Sequence, residues 1–161
     1  MSPLLPTIAR AGLLGLTTGA RSFSGIASQV AATPSLVRRQ PERAFGHLRV
    51  KGLFGLLALV EVVGDKLPTA PSRLGPSGLV PRLVLAGVAA VLVARADDGT
   101  DRVLPGSAAV AVPVAVGASL AGAFLGHVWR GRATEVVGRD WPGAVAEDAV
   151  VLTLAAVATR L

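Results

Sequence analysis

Two stretches, residues 83–93 and 108–125, place almost nothing polar on any face of a helix, and this constrains the fold more than any other feature of the chain. A helix at the surface of a soluble domain keeps a polar face. A chain of 161 residues can fully enclose only a small part of itself. Lipid is then the better solvent for several such segments. The composition agrees: 52% of residues are hydrophobic and the mean hydropathy is +0.60, carried by Ala, Val, Leu and Gly with no Cys and no Tyr. These features predict an all-α, polytopic transmembrane helix bundle, a single integral membrane domain over residues 1–161, multi-pass in the plasma membrane.

The formal net charge of +6 does not indicate nucleic acid as a partner. The basic residues are strung along loops and helix ends with no stacking aromatics between them, and basic loops are what membrane proteins use to orient themselves. Absence of Cys removes disulfides, thiolate chemistry and Cys-ligated metal sites. The first twenty residues have an apolar run at 11–16 and small residues at Thr18, Gly19 and Ala20, as a secretory signal does. Arg10 abuts that short run directly, however, and the apolar pattern resumes after Arg21, so the stretch reads as part of a membrane segment.

About five membrane segments follow from the pattern: 4–32, 50–67, 79–96, 106–129 and 142–161. The first is interrupted at Arg21 and Ser22, and at about 1.5 Å per residue it is long enough to cross a core of about 30 Å with tilt or a break. Residues 34–51 form a basic loop, and residues 68–81, with four prolines, form an ordered connector. Asp97, Asp98, Gly99, Thr100 and Asp101 make a turn after the third segment. Connections of this length suit an antiparallel bundle.

Ala11, Gly15 and Gly19 recur at the spacing of Ala118, Gly122 and Gly126, and each series is followed by arginine: Arg21 in one case, Arg130 and Arg132 in the other. Acids come in the next segment each time, Glu61 and Asp65 or Glu147 and Asp148. One reading is an inverted pair of two-helix repeats, with the third segment as spacer and polar residues from both halves near the midplane. The other is that small residues every fourth position simply let helices approach closely, making Gly15, Gly19, Gly122 and Gly126 packing residues.

Charged residues inside apolar segments must be paired, hydrated or neutralised. Glu61 and Asp65 are four apart and face one side of a helix; like charges that close call for a cation, for which Arg21, Lys66, Arg73, Arg82, Arg130 and Arg132 are candidates. Glu147 and Asp148 are adjacent, about 100° apart on a helix, so one helix can aim them at different partners. Arg21, Glu61, Asp65, Lys66, Arg132, Glu147 and Asp148 are therefore the candidate lining of an ion or solute path. The competing reading makes them interhelical salt bridges that fix packing.

Other chemistry has little support. His47 and His127 lack spaced acidic neighbours, so no metal is expected; Ser22 and Ser24 have no nearby base, and no Gly-rich phosphate loop or cofactor motif is present, so an enzyme is not expected. Trp129 and Trp141 suit an interfacial belt.

Gly19-Ala20-Arg21-Ser22-Phe23, the run Glu61-Val62-Val63-Gly64-Asp65-Lys66-Leu67-Pro68, and Ala146-Glu147-Asp148 resemble the bacterial membrane family called domain of unknown function 4126. The resemblance spans nearly the whole chain, and its most specific element is the acid, spacer and Asp-Lys-x-Pro stretch. It implies an integral membrane protein whose residues of interest are Arg21, Glu61, Asp65, Lys66, Pro68, Glu147 and Asp148, and it implies no activity. The first loop is longer and more basic than the family pattern suggests.

The expectation is a small transporter or channel-like protein for a small ion or solute, homo-oligomeric and in contact with membrane lipid. The alternative is a non-transporting scaffold or accessory subunit. Residues 34–51 carry net +4 and mark a cytoplasmic loop, which with five crossings puts the N-terminus outside and the C-terminus inside.

Overall fold

The computed structural model describes residues 4–34, 42–64, 74–100 and 102–161. These form seven helices and no strand: α1 Leu4–Ala20, α2 Ser22–Ala32, α3 Glu42–Gly46, α4 Leu48–Gly64, α5 Pro76–Asp98, α6 Ala108–Val137 and α7 Asp140–Ala158. Three of them are long and apolar enough to cross a membrane, over Pro76–Asp98, Ala108–Val137 and Trp141–Ala158. The protein is thus an all-helical membrane protein by length and composition.

The expected first segment is two helices, and they do not continue in one line. Arg21 is extended, with φ −139° and ψ 114°, and α2 folds back over α1. A straight rod would put Gly25 about 16 Å beyond Leu14. Instead Gly25 lies on the last turns of α1, where an added Cβ would stand 2.7 Å from the Leu14 carbonyl oxygen. That oxygen already accepts the Thr17 and Thr18 hydroxyls at 2.9 and 2.7 Å. Only a residue without a side chain fits there.

α1 and α6 pack with backbones almost touching. A Cβ on Gly15 or Gly19 would fall into the backbone of Ala115 or Ser119, and one on Gly122 into that of Leu16. Residue numbers rise together along this contact, so α1 and α6 run in the same direction. The buried row on α6 is Ala111, Ala115, Ser119, Gly122 and Gly126, whereas Ala118 sits to one side and is only half-buried. α5 runs opposite to both: Ala86, Ala90 and Ala94 meet Ala11, Ala108, Ala111 and Ala115 in a core built almost wholly of alanine. α7 runs opposite to α6, fixed by the Trp129 indole N–H donating to the Gly143 carbonyl at 2.9 Å.

α4 lies outside this core and buries none of its residues fully. It is held at its ends along α2. Lys51 donates to the Ala31 and Thr33 carbonyls at α2's C-terminus, at 3.0 and 2.7 Å, while Glu61 reaches α2's N-terminus. The short α3 is anchored by Phe45 edge-on to Phe54, with ring centroids 6.1 Å apart.

Three expectations need correction. The hairpin at Arg21 adds a leg to the path, so α1 begins and α7 ends toward the same end of the bundle, where Ala158 packs with Leu14 and Val93. Inverted repeats require the first and fourth segments to run oppositely; α1 and α6 do not. The fourth segment also extends eight residues past Trp129, to Val137, before Gly138 caps it at φ 70°, because Arg, Ala, Thr and Glu continue the helix beyond the apolar stretch. Elsewhere the limits are close: α5 starts at Pro76, after the Gly75 cap and three residues before the expected 79, and ends at Gly99 in the left-handed region.

Candidate functional site

The break at Arg21 puts its guanidinium in one layer with charges from three helices, α4, α5 and α7. Arg21, 1% exposed, holds Asp148 of α7 through its Nη2 at 2.5 Å. Ser22 and Phe23 open α2 with backbone N–H groups that have no partner in their own helix. Both donate to Glu61 of α4, at 2.6 Å to Oε1 and 2.8 Å to Oε2. Glu61 is thus a bidentate cap supplied by another helix, placed where the helix dipole favours an anion.

Arg82 of α5, also buried, approaches Glu61 Oε1 at 3.8 Å and donates to the Gly78 carbonyl at 2.9 Å. Glu147 is 7% exposed and points away from Asp148, as adjacent positions on a helix must. On α6 the layer stands beside Gly122 and Gly126, near the middle of the 30-residue helix.

Two grooves reach this layer from outside, on either side of α7. One, of about 430 Å³, runs between α4 and α7 and is floored by Arg21, Ser24 and Asp148. The other, also about 430 Å³, lies between α1, α6 and α7 and contains Glu147 and Trp129. Adjacent acids on α7 therefore open into different spaces.

Of the residues singled out from sequence, Arg21, Glu61, Glu147 and Asp148 come together. Arg132 does not join them: it is exposed on α6, about 15 Å along the helix from Gly122. Asp65 and Lys66 lie outside the described residues, as do Pro68 and Arg73. Arg82 was one of several candidate cations, and nothing in its neighbourhood distinguished it. Lys51 read as part of a basic loop, yet it caps α2.

A second polar cluster also went unread. Thr7 donates to Asp97 at 2.7 Å and Arg10 pairs with it at 2.5 Å, tying the start of α1 to the end of α5. Asp97 looked like a turn residue because its partners lie some 90 positions away. Beside it, Arg95 donates to the Arg102 carbonyl, and the Ser107 N–H reaches Asp98 at 3.4 Å, closing the connection to α6. Both histidines are exposed.

No family model matches this chain, and no curated protein or solved structure is significantly similar to it.

Proposed function

We propose that this multi-pass protein of the plasma membrane moves a small ion or solute, with Arg21, Glu61, Glu147 and Asp148 lining the path and Arg82 joining them. The observation that carries this reading is a broken helix whose N-terminus, capped by Glu61 of another helix, meets an arginine and further carboxylates at mid-height, where grooves reach it from outside. Intramembrane helix breaks of this kind are where many transporters hold their substrates. Charged groups inside a membrane are costly unless compensated, which favours a use for them.

The first, basic loop is cytoplasmic in this reading, and α1's start and α7's end face the same side. The hairpin of α1 and α2 with α4 packs beside the three spanning helices. The family resemblance belongs to the same proposal and rests on residues of this layer. Self-association through the exposed face of α4 belongs to it too; a monomer in both mild detergent and native membranes argues against that part.

The test is to neutralise Glu61, Glu147 and Asp148 one at a time, measuring folded protein in membranes and ion or solute flux in liposomes. Lost flux with folding intact supports transport. A second reading, a structural scaffold, is favoured by one specific feature: both Glu61 oxygens are occupied capping α2. Unfolding in every variant, or no flux in the parent protein, selects the scaffold.

A further inference from the structure

The groove that reaches Arg21 and Asp148 between α4 and α7 continues into a second hollow, of about 370 Å³, which shares Ser24, Ala58 and Leu152 with it. Together they make one trough over α2. Beyond the charged layer its walls are small and apolar, chiefly Ala27, Ala31, Ala155 and Ala156. The hydroxyls among them are turned to their own helices: Ser28 donates to the Gly25 carbonyl at 2.7 Å, and Thr159 to that of Ala156 at 2.9 Å. The trough therefore offers hydrocarbon contact and little else.

From Asp148 to Thr159 it follows α7 and its cap for 11 residues, about 16 Å. Half of a membrane core of about 30 Å is nearly the same length, the reach of one lipid tail. The outer end is cationic. Lys51 stands there, donating to the carbonyls of Ala31, a lining residue, and Thr33 at 3.0 and 2.7 Å, and its ammonium has a third N–H to give. The exposed Arg160 follows Thr159 at the same end. No carboxylate among the described residues pairs with either cation.

An apolar trough of tail length with a positive mouth complements a molecule that is apolar along its length and negative at its head. A helix of a second copy fits less well, since it enters the membrane the same way up and brings its own basic end against Lys51 and Arg160. We infer that the trough holds one acyl chain of an anionic phospholipid, with the phosphate at Lys51 and Arg160. The lipid comes from the leaflet on the side of the basic loop, which is cytoplasmic in the transport reading and is where anionic lipid gathers. The inference goes beyond that reading and rests on it for placement and orientation in the membrane. A lipid seated there closes the approach between α4 and α7 and leaves the groove beside Glu147 open.

The test titrates the full chain in mild detergent with phosphatidylglycerol or phosphatidylcholine of identical acyl chains and counts bound lipid by native mass spectrometry. Expected is one phosphatidylglycerol bound about tenfold or more tightly than phosphatidylcholine. Arg160→Gln and Lys51→Gln are each expected to weaken it about fivefold, the worth of one charge near a lipid surface. Ala156→Trp fills the trough from an exposed position and is expected to abolish the bound lipid, whereas Leu120→Trp, exposed on α6 away from the trough, leaves it unchanged. Ala156→Trp decides the matter if Lys51→Gln does not fold.

Equal binding of the two lipids, unchanged affinity in the folded charge variants, or a bound lipid undiminished in Ala156→Trp overturns the inference. Dimers that displace the lipid and are lost in Ala156→Trp overturn it in favour of a second copy. Selective lipid binding by a chain that gives no flux in liposomes overturns transport and keeps the trough. Flux with equal binding of the two lipids does the reverse.

Discussion

Arg21 is tolerated in an apolar interior because a carboxylate from the far end of the sequence neutralises it. Removing one partner of a buried pair leaves the other charge uncompensated, which costs about 3–5 kcal/mol. Arg21→Ala and Asp148→Ala are therefore each expected to destabilise by about that much in denaturant unfolding in detergent. The paired change Arg21→Leu with Asp148→Leu is expected to cost less than either single loss, because no orphan charge remains. Glu61 makes a different kind of contact. A glutamine there keeps one acceptor oxygen and cannot take both N–H groups, so Glu61→Gln is expected to cost about 1–2 kcal/mol and to speed hydrogen exchange at the Ser22 and Phe23 amides. Unchanged exchange at those amides would argue against capping. The need for partners was legible in the sequence, since charges in apolar segments stand out. Their identities were not: Arg21 and Asp148 are 127 positions apart, and only the tertiary fold chooses among several arginines.

At the scale of elements, the α1–α6 contact depends on the absence of side chains. Gly19→Ala is expected to force the helices apart and cost about 1–3 kcal/mol. Gly117→Ala has open space around it and is expected to be neutral or stabilising by up to about 1 kcal/mol. Equal melting temperatures for the two variants would show that the seam is not closely packed. The four-residue spacing of small residues exposed this seam in advance on α1, where Gly15 and Gly19 lie in it. On α6 the series was displaced at one position, because Ser119 rather than Ala118 faces α1. Helices α5 to α7 were readable to within a few residues at most ends, since their apolar stretches are long and bounded by Gly and Pro. A break near Arg21 was legible too, because Arg21 and Ser22 interrupt the apolar pattern; that it is a hairpin was not, since no proline or glycine stands at the bend and α2 is turned back by Glu61, 39 positions along the chain, with Gly25 admitting the close contact.

For the whole molecule, the hairpin changes parity, and parity decides which ends share a side. The natural chain has no cysteine, so single cysteines report accessibility without background. Leu5→Cys and Leu161→Cys are expected to react with a membrane-impermeant thiol reagent from one side, and Val136→Cys from the other; all three positions are exposed. Labelling of Leu5→Cys and Leu161→Cys from opposite sides would restore five simple crossings. Periodicity could not reveal this, because it reports where a chain is apolar and is blind to its direction. The pairing of Arg21 with Asp148 also carries a consequence in time. A ribosome delivers the arginine more than a hundred residues before its counter-charge, so the growing chain must hold an uncompensated cation at the water interface until α7 emerges. Burial of Arg21 then waits for α7, and a chain stopped before Asp148 carries a charge it cannot hide.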